Sequence, residues 1–452
     1  MLDGLRKHCA EALAGHGCPS VSVAVAERGE IVLAEAYGLA DLATGRPATP
    51  GTAYALASVT KPFTATAVCV AADEGLLDLD APVPVPGESR WSGPTVRELL
   101  RHRGGFGAHY DFHDGGGERP VDTGRYAVLF REPGSGFEYA NLGYRVLGHV
   151  LEESSGQGLG EFIRHRVCEP LGLGSWHLGP SYQGPAPVAV RYTADGRPYP
   201  PRCATGHPGA SEGWATATDL ALFAQSYERL LRPPTAAAVR DAVPYNARLG
   251  YGLGWNVSYG DGPVVRSHGG GMGGVAAMLV TVPEQRLSVA VLSNGTGKAA
   301  RDTVVRYLLD TLVPGYTDEL IAPVIDDPAR PMTLPPGIWA GLITTPEAPV
   351  PLTLEILADH RVEFRLNGGA PATAPALASR AWDLRTSLDL QLPTADARIS
   401  SPGLGLELRL GRGRLTGVAR AFKNGDAEGW MGNFLSHPCE LTASPRPDGL
   451  AR

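Results

Sequence analysis

Ala57-Ser58-Val59-Thr60-Lys61-Pro62-Phe63-Thr64 opens an apolar, alanine-rich run that continues to Gly75. The spacing predicts a helix beginning at Ser58 and capped by Gly75. Pro62 falls in its first turn, where a missing N–H does little damage. Residues three apart share a helix face, so Ser58 and Lys61 lie side by side. A serine hydroxyl beside a lysine amine at a helix start is one way to build an activated nucleophile. Backbone N–H groups at that end also face developing negative charge. The plain alternative is an N-cap serine with an unrelated lysine.

The lysine is notable for its scarcity. Among 40 lysines and arginines, only Lys7, Lys61, Lys298 and Lys423 are lysines. Arginine holds its proton at any usable pH, whereas burial and neighbouring charge push lysine toward its neutral form. A lysine kept beside Ser58 in so arginine-rich a chain fits a base better than a solvated charge.

Two more clusters follow in order. Tyr139-Ala140-Asn141 comes after the turn-rich Pro133-Gly134-Ser135-Gly136. A tyrosine near a lysine can exchange protons with a serine and a leaving group. An asparagine offers an amide both a donor and an acceptor. The alternative is a tyrosine buried at the start of the next helix. His-x-Gly occurs five times, at His102, His113, His177, His207 and His268. Only His268 leads through Gly269-Gly270-Gly271-Met272-Gly273-Gly274 into an apolar strand. Glycines let such a strand edge bring a backbone N–H close to an oxyanion. The other four read as loop histidines.

Competing motifs are weaker. Gly209-Ala210-Ser211-Glu212-Gly213 matches the spacing of a nucleophile elbow, which needs an apolar strand before the serine and a helix after it. The residues before it, 203–208, read as a loop, so an ordinary glycine-rich loop is expected. His109, Asp111 and His113 are metal-capable and close together, but a polar rim loop explains them more simply. There is no His-Glu-x-x-His and no paired Cys-x-x-Cys, so no metal and no cofactor is expected.

Composition bounds the rest. The 452 residues are 43 % hydrophobic and 19 % charged, which suits a globular chain of two domains. A formal charge of -7 speaks against a nucleic-acid partner or an anionic membrane surface. The start Met1-Leu2-Asp3-Gly4-Leu5-Arg6-Lys7-His8 carries no long apolar stretch, so no leader or membrane anchor is expected and the assigned location is cytoplasmic. Six scattered cysteines, Cys9, Cys18, Cys69, Cys168, Cys203 and Cys439, read as reduced thiols.

Along the chain, residues 3–15 pattern as an amphipathic helix and 21–26 and 31–37 as a hairpin. Helix and loop fill 80–240. Strands return at 251–257, 264–267, 275–282 and 287–292, followed by a helix over 298–312. Strands at both ends with helices between imply one antiparallel sheet flanked by helices plus a helical subdomain. Residues 316–336 have linker chemistry. Beyond them, short alternating stretches at 352–357, 361–366, 382–392, 404–410 and 415–422 predict a small all-β barrel-like unit. The expected class is α+β, with domains at 1–315 and 337–452 around the 316–336 linker.

The order and surroundings of these motifs resemble the serine β-lactamase-like superfamily. Further matches are Glu74-Gly75-Leu76-Leu77-Asp78-Leu79-Asp80, Arg97-Glu98-Leu99-Leu100-Arg101-His102, Glu169-Pro170-Leu171-Gly172-Leu173, Ala217-Thr218-Asp219-Leu220 and Tyr251-Gly252-Leu253-Gly254-Trp255. The likeness covers about 15–312. It is strongest to the class C branch, with its esterases, D-aminopeptidases and DD-peptidases. It implies Ser58 as the acylated nucleophile, with Lys61 and Tyr139 sharing its proton and Tyr139 protonating the leaving group. It implies an oxyanion hole from the N–H groups of Ser58 and Gly271, and substrate contacts at Asn141, Gly269 and Gly270. His268, taken as a fourth catalytic residue, stands where β-lactamases of that branch carry lysine, which turns the reading from β-lactam hydrolysis toward esterase, aminopeptidase or acyltransferase relatives. Arg103-Gly104-Gly105 departs from the usual Thr-Ser-Gly after the histidine. The C-terminal unit resembles the lipocalin-like domains of D-aminopeptidase-like members and of penicillin-binding-protein-type thioesterases. Arg420, Lys423 and Trp430 are its candidate substrate contacts; packing or oligomerisation is the plain alternative.

The expectation is a serine acyl hydrolase or acyltransferase working on a small-molecule or peptide-like acyl substrate, with water or an amine as acceptor, in intracellular or secondary metabolism. A non-catalytic penicillin-receptor-like binder is the second class, and a true β-lactamase the third. Oligomeric state is not legible.

Overall fold

Branched and small residues alternate along Ser20–Glu27, and this period of two builds a sheet with two buried faces. Val21, Val23 and Val25 join Val289 and Val291 on one face, under the helices Leu5–His16 and Ala299–Leu312. Ala24, Ala26 and Ala290 line the other, under the helices Thr60–Asp73 and Ala217–Ser226. Small side chains on that face let Phe63 and Phe223 pack closely against it.

The computed structural model describes residues 4–85, 91–115, 123–260, 262–321, 328–394, 403–422 and 434–444. Its first sheet has nine antiparallel strands. Their order is Arg46–Pro47, Glu30–Asp41, Ser20–Glu27, Leu287–Ser293, Val275–Val282, Arg266–Met272, Asn256–Ser258, Leu249–Tyr251 and Val243–Pro244. N-terminal strands thus pair with strands some 260 residues later, as in Val23↔Val291. The intervening helices and loops form the helical part, so the expected α+β architecture is the one found.

Two strands differ from expectation. The stretch 251–257 breaks into Leu249–Tyr251 and Asn256–Ser258, because Gly254 turns the chain at φ +87. The strand expected at 264–267 instead runs Arg266–Met272, straight through the glycines.

The second unit is one curled ten-stranded antiparallel sheet, a half-barrel. Its last strand, Phe434–Ser444, pairs with Arg414–Phe422 on one side and Gly337–Ile343 on the other. The linker is divided between the two units. Leu320 and Ile321 pack into the first core, whereas Arg330–Pro331 pairs with Leu377–Ala378 in the second sheet. All six cysteines are buried and unpaired. Among the described residues no helix is long and apolar enough to cross a membrane.

Candidate active site

Ser58 does not begin the α-helix. It sits in a 3-10 turn, Ala57–Val59, directly ahead of Thr60–Asp73. Ala57 is held at φ +47, a costly conformation for a residue with a Cβ. The turn is latched from below. Thr60 Oγ1 donates to Ala57 O (2.6 Å) and accepts from Gly213 N–H (2.8 Å), while Leu56 N–H donates to Gly213 O (2.8 Å). No side-chain cap bond forms at the helix start, so Ser58 is not an N-cap. It is partly exposed, and the residues around it are buried.

Lys61 is fully buried. Its Nζ donates to Ser58 Oγ (3.1 Å), Asn141 Oδ1 (2.8 Å) and Ala210 O (3.1 Å). An ammonium has three donors, and here three acceptors take them. None of the three is a carboxylate. Burial without a countercharge lowers Lys61 well below the usual lysine range. Asn141 is itself fixed: its Nδ2 donates to His109 O at 2.8 Å.

Tyr139 lies beside Ser58, and its ring lies 4.6 Å from Lys61 Nζ. Burial, reinforced by Tyr110, raises its phenol well above the ordinary range, so it stays a neutral donor. His102 packs on the Tyr139 ring with centroids 4.2 Å apart. Its Nδ1 accepts from Ala140 N–H (3.1 Å) and its carbonyl accepts from Glu138 N–H (2.9 Å). His102 therefore holds both neighbours of Tyr139, Ala140 through its ring and Glu138 through its carbonyl.

The strand Arg266–Met272 runs past the Ser58 turn. A Cβ on Gly270 would sit 2.1 Å from Leu56 O, so only glycine fits. At Gly271 a Cβ would meet Lys298 Cε at 2.6 Å and Nζ at 3.0 Å; an exposed cation thus lies over that edge. His268 is buried, its ring centroid 6.3 Å from that of Tyr139. Its Nδ1 faces Gly269 O (2.9 Å), which can only accept, so Nδ1 carries the proton. Nε2 then accepts from the Tyr251 hydroxyl (2.9 Å). Burial, then the charge on Lys61, lowers His268 to about 3, so it is neutral at neutral pH.

Other sequence expectations need correction. Of the four expected loop histidines, His113 and His177 lie instead in short strands, Phe112–Asp114 and His177–Leu178; His102 and His207 do lie outside helices and strands, but both are buried, as is His113. The Gly209–Gly213 region is not a loop either. Cys203–Thr205 is a strand and Pro208–Ser211 a helical turn, which presents Ala210 O to Lys61. Ser211 is no elbow nucleophile: it is 1 % exposed and bonded to His207 Nδ1 at 3.0 Å. Asp111 and His113 pair with each other at 2.6 Å. No group of three metal-capable side chains forms among the described residues. Arg420 is engaged internally, by Glu407 (2.8 Å), Ser436 Oγ (3.1 Å) and Glu138 (3.5 Å). Lys423 and Trp430 lie outside the described residues. A cavity of about 740 Å³, lined in part by Arg229, Arg266 and Arg286, lies at the far end of the strands and holds none of these groups.

The contacts of Lys61 with Asn141 and Ala210, and of His102 with Glu138 and Ala140, could not be read from spacing, because they join residues 36 to 149 positions apart. Lysine scarcity was the one signal for Lys298.

Known proteins resemble the chain in sequence and in fold. Esterase EstB of Burkholderia gladioli is 37 % identical over 212 residues, 40 % of this chain and 52 % of the esterase; the match takes in about half of that protein's length. The D-aminopeptidase of Brucella ovis is 26 % identical over 386 residues, 78 % of this chain and 68 % of that one. Among solved structures, SurE with D-Leu has a TM-score of 0.64 at 22 % identity, covering 92 % of this chain and 96 % of its own, a likeness of fold. The family model described as Beta-lactamase matches residues 5–312, and the chain belongs to that family of serine hydrolases.

Proposed function

We propose that the chain is a serine acyl hydrolase working through an acyl-enzyme on Ser58, with an ester or amide as acyl donor. One observation carries the reading: Lys61 Nζ lies 3.1 Å from Ser58 Oγ, fully buried, with no carboxylate among its partners. Such a lysine gives up its proton far more readily than an exposed one.

In its neutral form Lys61 takes the Ser58 proton as Oγ adds to the acyl carbonyl. The N–H groups of Ser58 and Gly271 receive the developing oxyanion. As the adduct collapses, the bond to the leaving group breaks and Tyr139 supplies its proton. The Lys61 ammonium then restores the phenol. Water attacks the acyl-enzyme in the second half, with the same groups working in reverse. Asn141 has one N–H left for the substrate, after its bonds to Lys61 and His109. Neutral His268 offers no cation beside Tyr139, which argues against a β-lactamase. The likeness to an esterase and a D-aminopeptidase supports an ester or amide donor.

The test is intact-protein mass spectrometry of wild type and Ser58→Ala with activated acyl esters, with and without amines. The proposal expects a Ser58-dependent adduct that decays to free acid. Amide in excess of acid would make it an acyltransferase or cyclase. A permanent adduct without product would make it a penicillin-receptor-like binder.

A further inference from the structure

The second sheet does not merely sit beside the catalytic unit; its last strand is bonded to the site's loop. Tyr110 N–H donates to Phe434 O and Phe434 N–H to Tyr110 O, both at 2.9 Å. Ser436 Oγ donates to Ala108 O. Ala108 N–H in turn donates to Glu138 Oε1 at 3.2 Å. Both backbone groups of Ala108 are therefore held, one from each unit.

Arg420 ties the two holders together. Its guanidinium reaches Ser436 Oγ at 3.1 Å and Glu138 at 3.5 Å, while Glu407 anchors it at 2.8 Å. Its side chain is only 13 % exposed, and the guanidinium lies 4.9 Å from the Phe434 ring. A planar fork packed on an aromatic face and bonded to two carboxylates has little freedom left.

What lies next in sequence gives this its meaning. Ala108 precedes His109, whose carbonyl orients the Asn141 amide, and Asn141 Oδ1 holds Lys61 Nζ. Glu138 precedes Tyr139. We infer that Arg420, with Ser436, is a positioning residue for the reaction: from the second unit it fixes the backbone on which Asn141 and Tyr139 are aimed at Ser58. The inference rests on the catalytic reading above. It differs from the expectation that Arg420 contacts substrate, because its donors are taken up within the protein.

The test uses the full chain with Arg420→Gln, Ser436→Ala and the conservative Ser436→Thr. Amide hydrogen exchange at 108–110 is measured first, then kcat and KM on a neutral acyl ester and on one bearing a carboxylate. Positioning predicts exchange faster by about tenfold in the Gln and Ala variants. It also predicts kcat down by roughly tenfold on both esters, KM within about twofold, and Ser436→Thr close to wild type. A KM rise confined to the carboxylate ester, with unchanged kcat, would make Arg420 a substrate anchor and overturn the inference. Unchanged exchange would overturn it too. If Arg420→Gln does not fold, Ser436→Ala decides alone. If wild type turns over no ester, the catalytic reading fails, while the exchange arm still decides whether the brace exists.

Discussion

Replacing Gly270 by alanine should disable the site without touching any reacting group. A Cβ there would lie 2.1 Å from Leu56 O, where ordinary contact begins at 3.4 Å, so strand and turn must part by about 1 Å or more. The clash is with backbone, which no rotamer change relieves. Leu56 leads into Ala57, already at φ +47, so the shift is passed to Ser58. A displacement of that size in a nucleophile costs on the order of 100-fold in rate. Overpacking adds about 1–3 kcal/mol of destabilisation. Gly269→Ala is the control, because its Cβ meets nothing nearer than Met278 Cε at 3.5 Å. The assay is the rate of adduct formation on Ser58 from an activated ester, followed by mass, with Tm recorded alongside. If Gly270→Ala acylates within about threefold of wild type, or Gly269→Ala loses as much Tm, the proposed packing of strand on nucleophile turn is wrong.

Three further outcomes follow from the same geometry. Lys61→Arg keeps the charge but not the basicity, so acylation should fall nearly as far as in Lys61→Ala, by about 10²-fold or more; a variant keeping most of its rate would make Lys61 a structural cation. Tyr139→Phe keeps the ring against Lys61 and removes only the hydroxyl, so turnover of esters with poor leaving groups should drop about 10²–10⁴-fold, and an unchanged rate would remove Tyr139 from proton transfer. His109, His268 and His437 are lowered by burial to about 4, about 3 and about 3. In the unfolded chain they titrate near 6.5. Their contribution to stability is thus full above that value and is lost as pH falls toward 3–4. Urea midpoints should fall between pH 7 and pH 4, less steeply in His437→Leu; a flat profile would contradict the burial of these rings.

Local rules carried the fold a long way. The alternation in 20–41 and 275–293 and the strand–helix–strand order sufficed for a sheet built from both ends of the catalytic unit. What failed was failure of local rules. Gly337–Ile343 was missed because Gly341 breaks a strand pattern; it is there because a Cβ would sit 2.1 Å from Glu440 O. Phe434–Ser444 was missed because Pro438 interrupts it. The strand tolerates this proline at the point where its neighbour Gly337–Ile343 ends. In the site, Ser58 and Lys61 were legible because residues three apart meet on one turn. Ala210 O, His102 and the hold of Phe434 on Tyr110 come from tertiary packing and leave no trace in spacing.

The central claim is that Lys61 is a base beside Ser58 whose burial lowers it well below the usual lysine range, and the pH dependence of Ser58 acylation tests it most directly. The rate of adduct formation should rise to a plateau with an acid-limb midpoint well below the ordinary lysine value of about 10.4, and Lys61→Ala should abolish that limb. A midpoint at the ordinary lysine value, or a limb that survives Lys61→Ala, would contradict the account.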